Sequence, residues 1–226
     1  MKTLNFIILL ITSLLFSCFQ TTGKNNTFNS TDSVQVTDTV INFENYIINE
    51  TPAGWTNYLT GKGEMCKWEI RNDNGNNVLA QISNETPEYR FNIIANDGLK
   101  YKDLEISVKF KGVEGRIDQG GGLVWRFRDA NNYYVARANP LENNFRVYKV
   151  VNGNRKQLKS ASMTINTGQW YIIKITMKGN NIQCYFDDKL KLETTDNTFR
   201  EEGKTGLWTK SDAITYFDDF RVKNIK

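Results

Sequence analysis

The sequence predicts an all-β fold, a two-sheet antiparallel jelly-roll sandwich spanning residues 40–226. The first observation is alternation with a period of two. Leu104, Ile106, Val108 and Phe110 fall on one face of a strand, and the residues between them fall on the other. The second is that many such short runs follow one another, separated by turn-forming residues. The third is that the chain has only three prolines, which leaves long hydrogen-bond ladders uninterrupted.

The predicted strands are rich in Val, Ile, Tyr, Phe and Trp, a composition that suits a pleated and half-buried surface. In chain order they cover residues 67–71, 78–83, 104–110, 122–128, 133–138, 145–150, 170–178, 182–186, 190–194, 205–209 and 215–222. Residues 129–132 form a turn between two of them. Asn152 and Gly153 predict a tight hairpin, because both residue types tolerate a positive φ. Many short strands at near-regular spacing are typical of a sandwich or jelly roll.

Residues 1–17 have the features of a secretory signal peptide. Lys2 gives a positive start, and residues 4–16 form an apolar run that is too short to cross a bilayer as a helix. The run ends in Leu15-Phe16-Ser17-Cys18, which resembles the lipobox of bacterial lipoproteins. This resemblance implies that Cys18 is acylated and becomes the new N-terminus. An ordinary cleaved signal with a coincidental cysteine is the alternative interpretation.

Residues 18–39 are rich in Thr, Ser, Asn and Gln, and they predict a flexible tether. The expected location is therefore the cell envelope, in the periplasm or on the outer-membrane surface. The expected contact with the membrane is the lipid alone, since no later segment is long and apolar enough to span it. The net charge of +4 is spread along the chain, so nucleic acid is not an expected partner.

Two further cysteines belong to the predicted domain. Cys184 alternates with Ile182 and Phe186, which places it in the core, and Cys66 shares a strand face with Trp68. An oxidising periplasm permits a disulfide between them. Two separate buried thiols explain the same pattern and are the favoured interpretation, although spacing alone does not decide whether they pair.

Three segments resemble a known superfamily. They are residues 121–134, 138–144 and 203–212, the last running into 216–220. Together they resemble the concanavalin A-like lectin/glucanase superfamily, in particular bacterial laminin-G-like domains. Within it, the chain is similar to the domain labelled as a 3-keto-disaccharide hydrolase or family-16 glycoside-hydrolase-related domain. The resemblance covers residues 40–226.

The resemblance implies two antiparallel sheets, one of them bowed, so that a concave face forms a groove that often holds sugar in this superfamily. It also implies that the first and last strands pair, which here are residues 41–44 and 216–220. Several members hold a calcium ion on the convex side. By resemblance, Glu44 and Asp219 are the expected carboxylate ligands of a structural Ca²⁺.

A sugar site needs flat aromatic faces and planar hydrogen-bonding groups. The central strands offer both in otherwise apolar runs. The candidate ligand-binding residues are Arg126, Arg137, Asn139, Arg146, Tyr148 and Trp208. The alternative is that the arginines decorate a solvent face or pair with Glu and Asp across strands. For Trp208, the alternative to a groove edge is the core.

Catalytic residues cannot be assigned from the sequence. The chain has no histidine, which removes Ser-His and Cys-His pairs and histidine metal ligands. Two facing carboxylates would still suffice for a glycosidase. However, Asp118, Asp129, Glu142 and Asp218 are scattered, and the Glu-x-Asp-x-x-Glu strand of true family-16 glucanases is absent.

Three functions remain as hypotheses. The leading one is a lipid-anchored, lectin-like domain that binds carbohydrate in glycan binding or metabolism. The second is a glycoside hydrolase or lyase that acts on an oxidised or acidic sugar. The third is a protein–protein adhesion module, which predicts an exposed apolar patch at the rim instead of a polar groove.

Overall fold

The computed structural model describes residues 38–87 and 89–225. Over these ranges the chain forms fifteen strands and no helix. The strands are β1 (Thr39–Ile41), β2 (Trp55–Gly61), β3 (Trp68–Asp73), β4 (Asn76–Gln81), β5 (Arg90–Tyr101), β6 (Leu104–Glu114), β7 (Gly121–Asp129), β8 (Asn132–Asn139), β9 (Asn144–Val151), β10 (Asn154–Ser162), β11 (Tyr171–Lys178), β12 (Asn181–Phe186), β13 (Lys189–Thr195), β14 (Gly203–Lys210) and β15 (Ile214–Asn224).

The strands form two antiparallel sheets. The eight-stranded sheet has the order β13-β12-β11-β6-β15-β4-β3, with β1 added on β15, and the seven-stranded sheet has the order β10-β9-β8-β7-β14-β5-β2. The predicted all-β, two-sheet jelly roll is therefore confirmed. The predicted pairing of the first and last strands is confirmed as well, since Ile41 of β1 lies opposite Phe220 of β15.

The predicted signal peptide, Cys18 and the tether up to residue 37 lie outside the described residues, so lipid anchoring and cell-envelope location stay predictions. Within the described ranges, no helix is long and apolar enough to span a membrane. Cys66 and Cys184 are free and buried, as the favoured interpretation expected. Burial raises the pKa of the Cys184 thiol well above its usual value.

The main core lies between the two sheets. Leu104, Ile106, Val108 and Phe110 of β6 face it, as their alternation predicts, and Leu123 and Trp125 of β7 meet them from the seven-stranded sheet. Each fully buried aliphatic or aromatic side chain of this kind contributes about 1.5–3 kcal/mol of burial free energy.

A second apolar cluster lies on the opposite face of the seven-stranded sheet, the face turned away from the eight-stranded sheet. This face is called the outer face below. The buried members of the cluster are Phe91, Ile93, Ala95, Val124, Phe127, Tyr133, Val135, Tyr148, Val150 and Trp208. Their strand neighbours Ile94, Tyr134 and Val147 belong to the main core. The central strands of the seven-stranded sheet are therefore buried on both faces.

Three strands of the seven-stranded sheet were not among the predicted ones: β2, β5 and β10. The first six residues of β5 are all buried, but the polar residues Arg90 and Asn92 interrupt its apolar residues, so neither alternation nor a continuous apolar run marks the strand. β10 is an edge strand with mostly exposed or half-buried polar residues, so its sequence carries no apolar pattern.

A β-bulge changes which side chains of β7 reach the outer face. The register of β7 against β8 shifts between Trp125 and Asp129, and Arg126 within the shift has a left-handed φ of 44°. As a result Phe127, and not Arg126, joins the outer cluster. The prediction that Arg126 belongs to the sugar-binding face is wrong, because a bulge is invisible to a simple period-two pattern.

The guanidinium of Arg126 instead ties together the loops at one end of the sandwich. It is 1% exposed and forms an ion pair with Asp103 at 3.2 Å. It also donates hydrogen bonds to the carbonyl oxygens of Lys102 (2.7 Å), Phe199 (2.6 Å) and Gly179 (2.8 Å). Arg126 is a structural residue, since its donors are directed at the protein's own backbone.

Replacement of Arg126 with alanine is expected to lower the free energy of unfolding by about 2–4 kcal/mol, because three carbonyl groups lose a charged donor. Chemical denaturation followed by tryptophan fluorescence measures the change. Arg128→Ala is the matched control on the same strand. Arg128 is exposed, and its removal is expected to change stability by no more than about 0.5 kcal/mol. Equal stability of the two variants would contradict the structural role of Arg126.

Candidate functional site

Polar side chains gather at one end of the outer face, where β8 and β9 meet. Arg137 and Asn139 of β8 alternate with residues of the main core and so point to the outer face. The strand register places Arg146 opposite Arg137 and Asn144 opposite Asn139. Tyr148 follows Arg146 by two residues on the same face. This group is called the polar cluster below, together with Asp118, Glu142, Arg155 and Lys210, which are described next.

Trp208 of β14 lies in the same row of the sheet as Arg137. Both residues are register partners of Gly122 on β7, the strand between them. A Cβ on Gly122 would come within 2.0 Å of the carbonyl oxygen of Ala136, so only glycine fits there. No side chain therefore stands between the indole and the guanidinium.

Arg155 of β10 covers the aromatic part of the outer face. The hairpin turn at Asn152 and Gly153 places Arg155 opposite Val150, so its side chain reaches back over the sheet. Its guanidinium carbon lies 4.6 Å from the ring centre of Tyr148, 4.7 Å from that of Phe91 and 5.8 Å from that of Trp208. Cation–π attraction holds the guanidinium against these rings.

Glu142, in the turn between β8 and β9, forms ion pairs with two of the arginines. Its Oε2 accepts hydrogen bonds from Arg137 Nη2 (2.8 Å), Arg146 Nη1 (2.9 Å) and Asn144 Nδ2 (3.0 Å). Burial by itself would raise the pKa of Glu142, but the hydrogen bonds from Arg137 and Asn144 outweigh it and lower the pKa to about 2.

Asp118 is the deepest carboxyl group of the polar cluster and is fully buried. Its Oδ1 accepts from the backbone N–H of Gly120 (2.7 Å) and from Asn139 Nδ2 (3.0 Å). Its Oδ2 has no hydrogen-bond partner, and Lys210 Nζ lies 3.6 Å away. Burial raises the pKa of Asp118 in spite of the nearby Arg137 charge.

Two buried donors of the same cluster are also unpartnered. Arg137 Nε and Arg155 Nη1 make no hydrogen bond with any described residue. A buried polar group left without a partner costs about 1–3 kcal/mol, so such groups are satisfied by water or by a ligand in a working site. The polar cluster therefore has two unmatched donors and one unmatched acceptor, Asp118 Oδ2, and Trp208 Nε1 beside it is a third unmatched donor.

The cluster is covered over most of its extent. Arg137 is 1% and Tyr148 4% exposed, whereas the side chains of Glu142 and Arg146 are 35% and 32% exposed. Access from solvent is thus on the side of Glu142 and Arg146. The structure shows a largely covered face that is partly exposed at Glu142 and Arg146, instead of an open groove.

Five of the six predicted ligand-binding residues lie together on the outer face: Arg137, Asn139, Arg146, Tyr148 and Trp208. Trp208 is both fully buried and part of this face. The interpretation as a core residue and the interpretation as a residue of the candidate site are therefore each partly right. Sequence reasoning missed Arg155 and Lys210 as site residues. Arg155 could have been found from the Asn152-Gly153 turn, which fixes the register of the next strand.

The carboxylates expected to bind calcium are engaged elsewhere. Asp219 Oδ2 pairs with Lys109 Nζ at 2.7 Å, and Glu44 Oε1 accepts from the backbone N–H of Asn77 at 3.3 Å. In residues 38–87 and 89–225, no group of three or more His, Cys, Asp or Glu side chains is placed to hold a metal ion. Calcium stays a prediction for these two residues.

Two of the scattered carboxylates lie away from the polar cluster. Asp129 caps the turn between β7 and β8, where it accepts from the backbone N–H of Asn131 at 2.7 Å. Asp218 belongs to β15 of the eight-stranded sheet and accepts from Asn76 Nδ2 at 3.1 Å. Only Asp118 and Glu142 of the four remain candidates for chemistry at this site.

Comparison with protein families gives a match over nearly the whole described chain. Residues 46–223 match the model of the family described as 3-keto-alpha-glucoside-1,2-lyase-like domain. A levanase of Bacillus subtilis (strain 168) is 25% identical over 154 residues. These residues are 68% of this chain but 19% of the levanase, so the chain spans about a fifth of that relative.

Comparison with solved structures establishes the fold. The carbohydrate-binding module CBM66 of Bacillus subtilis superposes with a TM-score of 0.62 at 20% identity, over 79% of this chain and 99% of the module. A β-glucanase of Bacillus licheniformis superposes with a TM-score of 0.58 at 14% identity, over 84% of this chain and 98% of the enzyme.

The lowered pKa of Glu142 predicts a stability change in acid. A carboxylate whose pKa is depressed on folding stabilises the fold above its unfolded-state pKa, and this contribution is lost as the pH falls. For Glu142 the loss is expected between its ordinary value of 4.5 and about 2. Glu142→Gln should therefore destabilise the protein more at pH 7 than at about pH 3, as measured by urea denaturation at each pH. A destabilisation independent of pH would contradict the ion pairing.

Proposed function

The chain belongs to the 3-keto-alpha-glucoside-1,2-lyase-like domain family, and from that premise we propose that it binds a carbohydrate at the polar cluster of the outer face. The names of its relatives support a role in glycan binding or metabolism. One is a levanase, and another is a carbohydrate-binding module that aligns over 99% of its own length.

The observation that carries the proposal is the set of unmatched polar atoms in one buried cluster. Arg137 Nε and Arg155 Nη1 require acceptors, and Asp118 Oδ2 requires a donor. A hydroxyl group is both a donor and an acceptor. A ligand with several hydroxyls fixed on a ring can therefore satisfy both kinds of atom at once, which neither an apolar ligand nor a simple cation can do.

Aromatic side chains add the second requirement of a sugar site. Tyr148 belongs to the polar cluster and Trp208 lies beside it, and the guanidinium of Arg155 covers both rings. The hydroxyl of Tyr148 is 3.4 Å from Arg137 Nη2 and 3.5 Å from Arg146 Nη1. These contacts hold the phenol at the border between the charged and aromatic parts of the face. A sugar offers the same two surfaces, polar hydroxyls and apolar C–H groups.

Arg137→Ala and Tyr148→Ala are each expected to weaken glycan binding at least about ten-fold, because each removes a group that borders the unmatched atoms. Isothermal titration calorimetry with glycans selected from an array measures the effect. Arg128→Ala is the control, since Arg128 is exposed and lies over Phe199 instead of the outer face.

Thermal melting of each variant separates loss of binding from loss of folding. Both site variants should remain folded at the temperature of the titration and bind less tightly than Arg128→Ala does. Unchanged affinity in both folded site variants would remove the basis for placing the ligand on the outer face. Failure of the wild-type protein to bind any glycan of the array would contradict carbohydrate binding itself.

A second candidate function is elimination at an oxidised sugar, which the family description names. The observation that favours it is that the pKa values of two neighbouring carboxyl groups are shifted apart. The pKa of Asp118 is raised, and that of Glu142 is lowered to about 2. Such a separation is typical of acid–base pairs. In a 1,2-elimination the base removes the proton at carbon 2, next to the ketone, and the glycosidic oxygen leaves from carbon 1 with a proton.

Asp118→Asn is expected to slow such an elimination at least about 100-fold, because it removes a proton-exchanging group without changing its shape. NMR spectroscopy of a 3-keto-glucoside incubated with the protein follows the appearance of the 1,2-unsaturated product. Asp129→Asn, in the exposed turn, is the control. No product with wild-type protein, or equal rates for both variants, would exclude this role of Asp118 and leave sugar binding standing.

A further inference from the structure

The charges that face the polar cluster do not balance. Four cationic side chains border it: Arg137, Arg146, Arg155 and Lys210. Two carboxyl groups face them, Asp118 and Glu142. With both carboxyl groups ionised the cluster still holds an excess of two positive charges, and Arg137 and Asp118 among these groups are fully buried. Buried charges are ordinarily paired, so the excess requires an explanation.

Arg155 is the cation without a partner. Glu142 pairs with Arg137 and Arg146, and Asp118 lies nearest to Lys210 at 3.6 Å. Arg155 forms no ion pair with any residue in the described ranges, and its Nη1 is buried without an acceptor. Its guanidinium rests on aromatic rings, which attract a cation but do not neutralise it.

Arg155 also lies close to a second guanidinium. Arg137 and Arg155 approach the ring of the same tyrosine, Tyr148, with their guanidinium carbons 5.9 and 4.6 Å from its centre. Burial lowers the pKa of Arg155, and the charge of Arg137 lowers it further. Each of the two arginines presents an unmatched N–H. Two like charges with free donors at one place form a site for a negatively charged group.

We propose that the carbohydrate bound at the polar cluster carries an oxyanion substituent, a carboxylate or a sulfate, and that Arg155 together with Arg137 Nε recognises it. This inference rests on the proposed function and goes further by naming the chemical class of the sugar. The guanidinium fork matches the geometry of an oxyanion, and hydroxyl groups of the same sugar ring satisfy Asp118 Oδ2.

Another basic cleft of the molecule does not compete with this site. A cleft of about 250 Å³ at the end of the sandwich is lined by Arg126, Lys102 and Arg200. There the guanidinium of Arg126 forms an ion pair with Asp103 and donates hydrogen bonds to three backbone carbonyl oxygens. No buried donor of that cleft is left unmatched among the described residues. Arg137 Nε and Arg155 Nη1 are unmatched donors on the outer face, whereas those of Trp55, Trp68, Arg71 and Arg90 lie elsewhere in the described residues.

The test compares matched pairs of glycans that differ only in charge. Polygalacturonate oligomers are titrated beside the same oligomers after carboxyl reduction, alginate oligomers beside their carboxyl-reduced form, and a sulfated galactan beside its desulfated form. In at least one pair the charged member is expected to bind at least about ten-fold more tightly. Its affinity should fall when NaCl is raised from about 50 to about 500 mM. The pairs also show whether carboxylate or sulfate is preferred.

Arg155→Gln tests the residue itself. It is expected to reduce affinity for the charged glycan at least about ten-fold more than it reduces affinity for the neutral partner, and Arg155→Lys should restore part of the loss. Lys156→Gln is the matched control. It removes one positive charge from the neighbouring position of β10, but Lys156 is exposed, so its effect should stay below about two-fold.

The outcomes separate the inference from the proposed function. Tighter binding of the charged members with selective loss in Arg155→Gln supports both. Equal or tighter binding of the neutral members overturns the inference and leaves carbohydrate binding intact. Equal losses in Arg155→Gln and Lys156→Gln also overturn it, because they indicate unspecific attraction. Absence of binding to every glycan, charged or neutral, overturns both.

Discussion

The ion pair between Arg137 and Glu142 is the interaction on which the outer face depends. Arg137 is fully buried in mid-strand, and a buried guanidinium with no carboxylate would be strongly destabilising. Glu142 reaches it from the turn between β8 and β9, at 2.8 Å, and holds Arg146 at 2.9 Å with the same oxygen. The pair fixes the turn, the two strands and the tyrosine beside them. Glu142 accepts a hydrogen bond from Arg137 Nη2. The Nε–H of Arg137 is left without a partner.

The seven-stranded sheet gains this site because its central strands are buried on both faces. Its inner face contributes to the main core. The outer face then holds aromatic rings over most of its area and charged groups at one end. The β-bulge at Arg126 separates two arginines that the sequence pattern had grouped. Arg126 stabilises loops, and Arg137 remains at the site with unmatched hydrogen-bonding capacity.

Period-two alternation was enough to predict the strands that are covered on one face, such as β6. Alternation did not predict the strands and side-chain directions that depend on something other than burial of one face. β5 was missed because polar residues interrupt its apolar pattern, β10 was missed because it is an exposed edge strand, and the bulge in β7 changed the face on which Arg126 lies. Asp118 was recognised only as a scattered carboxylate, because its approach to Lys210 and Asn139 depends on a loop whose course has no sequence pattern.

The central claim is that the ligand binds at the outer face of the seven-stranded sheet. NMR spectroscopy tests it directly, by following the arginine Nε–H and tryptophan indole N–H resonances during titration with a bound glycan. The account predicts that Arg137, Arg155 and Trp208 shift in proportion to occupancy, while Trp170, beside the cleft on the eight-stranded sheet, does not. Shifts at Trp170 with unchanged Arg137 and Trp208 would contradict it and would place the ligand on the opposite side of the sandwich.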